Sequence, residues 1–142
     1  VEGAFPIKVF LLDVGRRRPL NIGGGAQAIL SFLGDDDINR ILRVNLERSL
    51  EKHPNYLESN VRKTIARART KGYVVTDALD LPGVRSLGMP VFDRSHRPVA
   101  GISVSSVVQR MDRNRTEMIT SCMAQAIEQI QAHLAQVDPD SL

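Results

Sequence analysis

Two groups of residues in this chain have the types and the spacing to do chemistry. The first is the run Gly23, Gly24 and Gly25, set between "RRRPLNI" and the apolar stretch "AQAILSFL". Glycine is a poor helix former, so three of them where a helix is about to start need a reason. A helix N-terminus presents unpaired N–H groups and a partial positive charge, and glycine lets a ligand approach that backbone with no Cβ in the way. The run therefore reads either as an anion cradle, entered past Asn21 or Ile22, or as a flexible turn. It is not a Walker phosphate loop, because no Gly-Lys-Ser/Thr follows, and the dinucleotide fingerprint fails on spacing. The second group is the hydroxyls of Ser86, Ser103 and Ser105, which are donors and acceptors suited to a small polar guest.

The serines stand on two apolar runs, 84–93 and 98–107, joined by "RSHR". Side chains alternate faces along a strand. A tight turn centred on Ser95 and His96 puts Leu87 opposite Val104, Met89 opposite Ile102 and Val91 opposite Ala100, a consistent apolar face. The same register sets Ser86 opposite Ser105 and Gly88 opposite Ser103, so the other face is a floor of small residues and hydroxyls. That floor is either a concavity for a ligand or an exposed sheet face. A slip of one residue would exchange the two faces.

Around these runs the pattern predicts a strand or strand pair over 4–14 and a short helix over about 25–33. Gly34 serves as a C′ stop. "DDD" at 35–37 supplies an N-cap and acidic first turn for a second helix, with Ile38, Ile41, Leu42 and Leu46 on its buried stripe. A third helix spans about 57–71, with Leu57, Val61, Ile65 and Ala68 on one face and Arg62, Lys63, Arg67, Arg69 and Lys71 as a solvated face. "YVVTDA" is a short strand and "LDLPGV" a loop. From about Asp112 a long amphipathic helix buries one side through Ile119, Cys122, Met123, Ala126, Ile127, Ile130 and Leu134.

The chain has 142 residues, 42% apolar and 25% charged, with a net charge of +3, the composition of one ordinary domain. That charge is too mild to argue for nucleic acid. No run approaches the roughly 20 apolar residues of a membrane span. The single cysteine, Cys122, reads as an inert buried thiol, no Cys/His cluster suggests a metal, and a reducing, cytoplasmic setting follows. No cofactor is indicated. His53, His96 and His133 have no carboxylate or nucleophile at a telling spacing. Asp77 and Asp80 are either an acid/base pair or loop carboxylates, and no catalytic constellation is evident, which argues against a small-molecule hydrolase.

The order of segments, "VGRRRPLNIGGGAQAIL" and then "ARTKGYVVTDALDLPGVRSLGMPVFDRSHRPVAGISVSS", resembles the effector-binding domain of IclR-type bacterial transcriptional regulators. The resemblance covers nearly the whole chain and is most specific from Gly72 to Ser106. It implies an α+β, GAF-like fold, an antiparallel sheet flanked by helices. It also implies that residues 1–142 form a single, N-terminally truncated effector-binding domain, without the winged helix-turn-helix that binds DNA and without the first strand or two of the sheet. Its implied partners are a small organic acid effector and a second copy of the chain in a dimer or tetramer. DNA is contacted only through the missing domain. The implied effector-binding positions are Gly24 and Gly25 at the helix start, with Gly23 beside them, then Thr76 and its neighbour Asp77, Ser86, Ser103 and Ser105. Many members carry His-Ala-Thr or His-Ala-Ser before a Gly-Lys where this chain has "NIGGGAQ", an acidic residue at Thr76 and a cysteine at Ser86. These departures bear on which ligand is bound. A second reading is a GAF-like oligomerisation module with no functional ligand.

Overall fold

The computed structural model describes residues 14–15 and 17–136. The expected strand over 4–14 lies almost wholly outside them. Four helices and three strands follow in the order α1 (Gly24–Ser31), α2 (Asp35–Lys52), α3 (Glu58–Lys71), β1 (Val74–Asp77), β2 (Val84–Phe92), β3 (Pro98–Val107) and α4 (Arg113–Leu134). The strands form an antiparallel sheet in the order β1-β2-β3. The fold is α+β, with helices on both faces of the sheet.

The hairpin register is the one that alternation predicts. Ser86 pairs with Ser105, Leu87 with Val104, Gly88 with Ser103 and Met89 with Ile102. Asp93 sets the turn: its carboxylate accepts from the backbone N–H groups of Ser95 (2.8 Å) and Arg97 (2.9 Å) and from the Arg97 guanidinium. These bonds, the Arg97 backbone N–H foremost, hold its carboxyl below the usual carboxylate range.

Each face of the sheet has its own cover. On one, Leu87, Met89 and Ile102 pack against Met111, Ile119 and Met123. Helix α4 is fastened there by its N-cap, Asp112, which accepts from the Arg115 N–H at 2.8 Å, and by Gln131, whose side-chain oxygen accepts from the Phe92 N–H at 3.0 Å. On the other face, Val74 meets Ala28 of α1 and Ala68 of α3. The largest apolar cluster lies between α1, α2 and α3 and contains Ile22, Leu30, Ile38, Leu42, Tyr56, Val61 and Ile65. Full burial of Leu30 and Leu42 contributes about 1.5–3 kcal/mol each.

Three local expectations change. Gly34 is not a left-handed C′ stop. Its backbone is extended (φ −65°) and it is the N-cap of α2, so Asp35, Asp36 and Asp37 all fall in the first helical turn, where their charges meet the positive end of the helix. Arg69, though exposed, is more than a solvated charge. Its guanidinium donates to the Ser31 carbonyl (2.8 Å), the Leu33 carbonyl (2.9 Å) and the Asp35 carboxylate (2.8 Å), satisfying carbonyls that the end of α1 leaves open. Cys122 is exposed, because α4 buries only Met123 and Ile127 completely. Met118, Cys122, Ala126, Ile130 and Leu134, four residues apart, form an exposed stripe on the same helix.

Candidate functional site

Pairing across three strands places Thr76, Ser86 and Ser105 side by side in one rung of the sheet, with Val74, Gly88 and Ser103 in the rung two residues along. Both rungs are on the face that carries α1. Ser86 is 3% exposed, and its hydroxyl lies 2.7 Å from that of Ser105, either oxygen able to donate.

Helix α1 starts directly over these rungs, and the glycines on both sides are what let it come so close. A Cβ at Gly88 would collide with the Gly24 carbonyl, and a Cβ at Gly101 with the Gly25 carbonyl. In the opposite direction, a Cβ at Gly24 would stand 2.8 Å from the Ser86 Cβ. One at Gly25 would stand 3.3 Å from both the Gly101 carbonyl and the Ser103 hydroxyl. The floor of small residues is therefore largely occupied by the backbone of α1. Gly23 has a different duty. As N-cap it sits at φ +92°, a region L side chains rarely adopt, and it offers no side chain to cap the helix. The first-turn N–H groups of α1 thus begin beside the hydroxyl rungs with no side-chain cap.

Asp77 does not join this group. It alternates to the opposite face from Thr76, where Arg85 Nε donates to it at 2.7 Å and Arg85 Nη2 at 3.3 Å. That hydrogen bond raises the Arg85 guanidinium above its ordinary value. Asp80 is also engaged: Arg18 Nη2 and His53 Nδ1 both lie 2.9 Å from its carboxylate. The two aspartates are held by separate arginines, Arg85 and Arg18, and do not form an acid/base pair. Among the described residues no group of three or more His, Cys, Asp or Glu side chains is placed to hold a metal ion.

Two features escaped sequence reasoning because residues distant in the chain build them. One is a basic cleft of about 420 Å³, lined by Arg17, Arg18, Arg48, Lys52 and His53 around Asp80. The other is a cleft of about 390 Å³ between the start of α1, helix α3 and strand β1, lined among others by Asn21, Gln27, Tyr56, Lys63, Arg67, Thr76 and the carboxylate-bearing Asp77. Asn21 and Gln27 are 0% and 5% exposed. Asn21 Nδ2 donates to Ser49 Oγ (2.8 Å) and to the Tyr56 hydroxyl (2.9 Å), while Gln27 Nε2 donates to the Asn21 backbone carbonyl (2.9 Å). Asn21 Oδ1 and Gln27 Oε1 have no hydrogen-bond partner among the described residues. A buried polar atom left in that state costs about 1–3 kcal/mol. Burial pushes the Tyr56 hydroxyl up from its usual value of 10.0, and Asn21 opposes that rise. Two amides close to a glycine run were the available sequence signal.

An antiparallel sheet with helices on both faces and a polar cleft beside one helix start defines a small α+β domain. The chain belongs to the family described as bacterial transcriptional regulator IclR C-terminal, whose model matches residues 8–132. It is 27% identical over 124 residues to the HTH-type transcriptional regulator BhcR of Paracoccus denitrificans (strain Pd 1222), covering 85% of this chain and 43% of that protein. It is 27% identical over 126 residues to the HTH-type transcriptional regulator KdgR of Escherichia coli (strain K12), covering 88% and 48%. The fold is similar to the crystal structure of the Thermotoga maritima IclR, with TM-score 0.81 and 25% identity over 95% of this chain and 54% of that one. It is also similar to the C-terminal domain of E. coli KdgR, with TM-score 0.73 and 25% identity over 91% and 80%. The chain spans less than half the length of the two curated regulators. Among the described residues no helix is long and apolar enough to cross a membrane.

Proposed function

We propose that this domain senses a small organic acid for a full-length transcriptional regulator, and that occupancy of the site controls DNA binding by a winged helix-turn-helix domain outside residues 1–142. The observation that carries the reading is the convergence of an α1 start with no side-chain cap at Gly23–Gly25 on the hydroxyls of Thr76, Ser86, Ser105 and Ser103. Free N–H groups at a helix start hold carboxylate oxygens, and hydroxyls beside them complete the shell. Asp77, which also lines the 390 Å³ cleft, is held by Arg85 and is assigned no direct contact with the acid. The regulator acts in the cytoplasm, where its DNA is, and assembles as a dimer or tetramer.

Calorimetric titration with a panel of small carboxylates tests the reading. Hydrogen bonds to a charged group are worth about 1.5–3 kcal/mol, and 1.4 kcal/mol is a factor of ten. Ser103→Ala, at an exposed position on β3, is expected to fold as the parent does and to bind tenfold or more weakly. Equal affinity in the two proteins contradicts the assignment. In the full-length regulator, the same acid is expected to shift operator affinity measured by fluorescence anisotropy. An operator affinity indifferent to a bound acid contradicts the control step.

A further inference from the structure

We propose that the basic cleft between the residues before α1, the end of α2 and the loop after β1 is a second ligand site, and that it takes a phosphate dianion, free or as a small phosphate ester. This site is separate from the acid at the start of α1 and does not depend on it. The cleft measures about 420 Å³, a small-molecule size, and its polar lining is Arg17, Arg18, Arg48, Lys52, His53 and Asp80 together with Ser49.

One anion already sits among these basic groups, and it belongs to the protein. Asp80 accepts from Arg18 Nη2 at Oδ2, and its Oδ1 lies 2.9 Å from His53 Nδ1. The cleft thus holds an oxygen anion by means of Arg18 and His53, whose side chain is 12% exposed. Arg17, Arg48 and Lys52 are left over. None of the three has an ion-pair partner among the described residues, whereas Arg40, Arg69, Arg85 and Arg97 each hold a carboxylate elsewhere. Lys52, in the last turn of α2, complements the negative end of that helix. Arg48 stands one turn earlier, and like charges four residues apart on a helix repel. An anion between them relieves that repulsion.

The surplus of positive charge sets the charge of the guest. Asp80 already supplies one carboxylate, and a second monoanion would leave most of the surplus standing. A phosphate monoester carries about −1.5 to −2 charges near pH 7 and three acceptor oxygens. Guanidinium forks match phosphate geometry, and Arg17 and Arg48 bring two of them. A DNA duplex fits less well, because it needs a basic stripe that follows several phosphates. Here the cations surround a concavity, and Lys63 and Arg67 of α3 line the other cleft.

The test is an NMR titration of the labelled 142-residue chain at physiological salt, read from the backbone amides of Arg48, Lys52, His53 and Asp80. The probes are glycerol 3-phosphate, inorganic phosphate, glycerate and a short DNA duplex. At least one of the two phosphates is expected to saturate these shifts below about 10 mM. Glycerate, with the same three carbons and a single charge, is expected to bind there at least tenfold more weakly. An ester that binds tighter than inorganic phosphate identifies an ester as the ligand, and the reverse order or equality identifies the free anion. In the double variant Arg48→Gln, Lys52→Gln, phosphate affinity is expected to fall about tenfold or more. The control Arg43→Gln, Arg94→Gln removes the same charge from exposed positions outside the cleft and is expected to stay within about twofold of the parent. The proposal is overturned if neither phosphate saturates the shifts, if glycerate binds there as well as the phosphates, or if the duplex alone saturates them. A folded cleft variant that keeps its affinity, or a control that loses as much, also overturns it. The comparison of phosphates with glycerate in the parent decides the matter even if the cleft variant does not fold.

Discussion

Replacing Gly88 with alanine adds one methyl group to the middle of β2, and the position of α1 makes that methyl expensive. The new Cβ would collide with the carbonyl carbon and oxygen of Gly24 and come within 3.1 Å of the Gly25 nitrogen. All three are backbone atoms, so no side chain can rotate away, and either the first turn of α1 lifts off the sheet or β2 buckles. Overpacking costs typically about 1–3 kcal/mol and more when backbone has to move, so about 3 kcal/mol or more is expected here. Gly101→Ala meets the Gly25 carbonyl in the same way and should cost as much. Gly24→Ala, with its Cβ 2.8 Å from the Ser86 Cβ, should be intermediate, because that contact is with a side-chain atom. Gly25→Ala, at 3.3 Å from its nearest neighbours, should stay within about 1 kcal/mol of the parent, since alanine regains helix propensity there. At this chain length 1 kcal/mol moves Tm by about 3–5 °C, so the worst variants should melt about 10 °C or more below the parent. Urea denaturation followed by circular dichroism gives the series directly. A Gly88→Ala variant as stable as the parent would refute the backbone-on-sheet packing of α1.

Three further outcomes follow from the same structure. Arg69→Ala should lose about 1–2 kcal/mol after discounting for its exposure, because carbonyls at the end of α1 lose their donors; denaturant melts measure it, and a loss under 0.5 kcal/mol (roughly an exposed ion pair alone) contradicts the capping role. Asp93 has a depressed carboxyl in the folded state, so its stabilisation is present above the unfolded value of about pH 4 and is lost as pH falls through the folded value. Asp93→Asn should therefore be less stable than the parent near neutrality and converge with it in acid, and an NMR titration of Asp93 with a midpoint above 4 contradicts this. Met118, Ile130 and Leu134 are 54%, 39% and 36% exposed on α4 with Cys122 between them, so the domain should sediment as a dimer or larger species at tens of micromolar, and Cys122 should be alkylated more slowly there than on dilution. A monomer with concentration-independent thiol reactivity contradicts it.

How far the chain could be read before folding depended on the range of the interactions involved. Alternation along 84–107 is a local signal, and it gave the pairing of Ser86 with Ser105 and of Leu87 with Val104 because a one-residue slip would have put leucine and methionine on the wrong face. Helix spacing likewise located α2, α3 and α4 to within a few residues. What covers each face is not local. Nothing in "NIGGGAQ" states that the Gly24 and Gly25 carbonyls will rest on Gly88 and Gly101, although glycine at all four positions is the trace of it. Asn21 meets Ser49 and Tyr56 at separations of 28 and 35 residues, and Arg69 reaches back 36 residues to Leu33. Cys122 looked buried because its helical stripe is apolar all along, yet α4 commits only a narrow part of that stripe to the sheet. Asp77 and Thr76, adjacent in sequence, were separated by the simplest rule of all, the alternation of a strand.

The central claim is that an acid binds at the start of α1, beside the hydroxyl rungs of the sheet. The most direct measurement is a two-dimensional NMR titration of the labelled domain with the tightest-binding carboxylate, following backbone amides residue by residue. The account predicts that the largest shifts fall on Gly23, Gly24 and Gly25 together with Thr76, Ser86, Ser103 and Ser105, and that they saturate with one dissociation constant. Saturating shifts confined to the basic cleft around Arg48, Lys52 and His53, with the glycine amides unmoved, would contradict it.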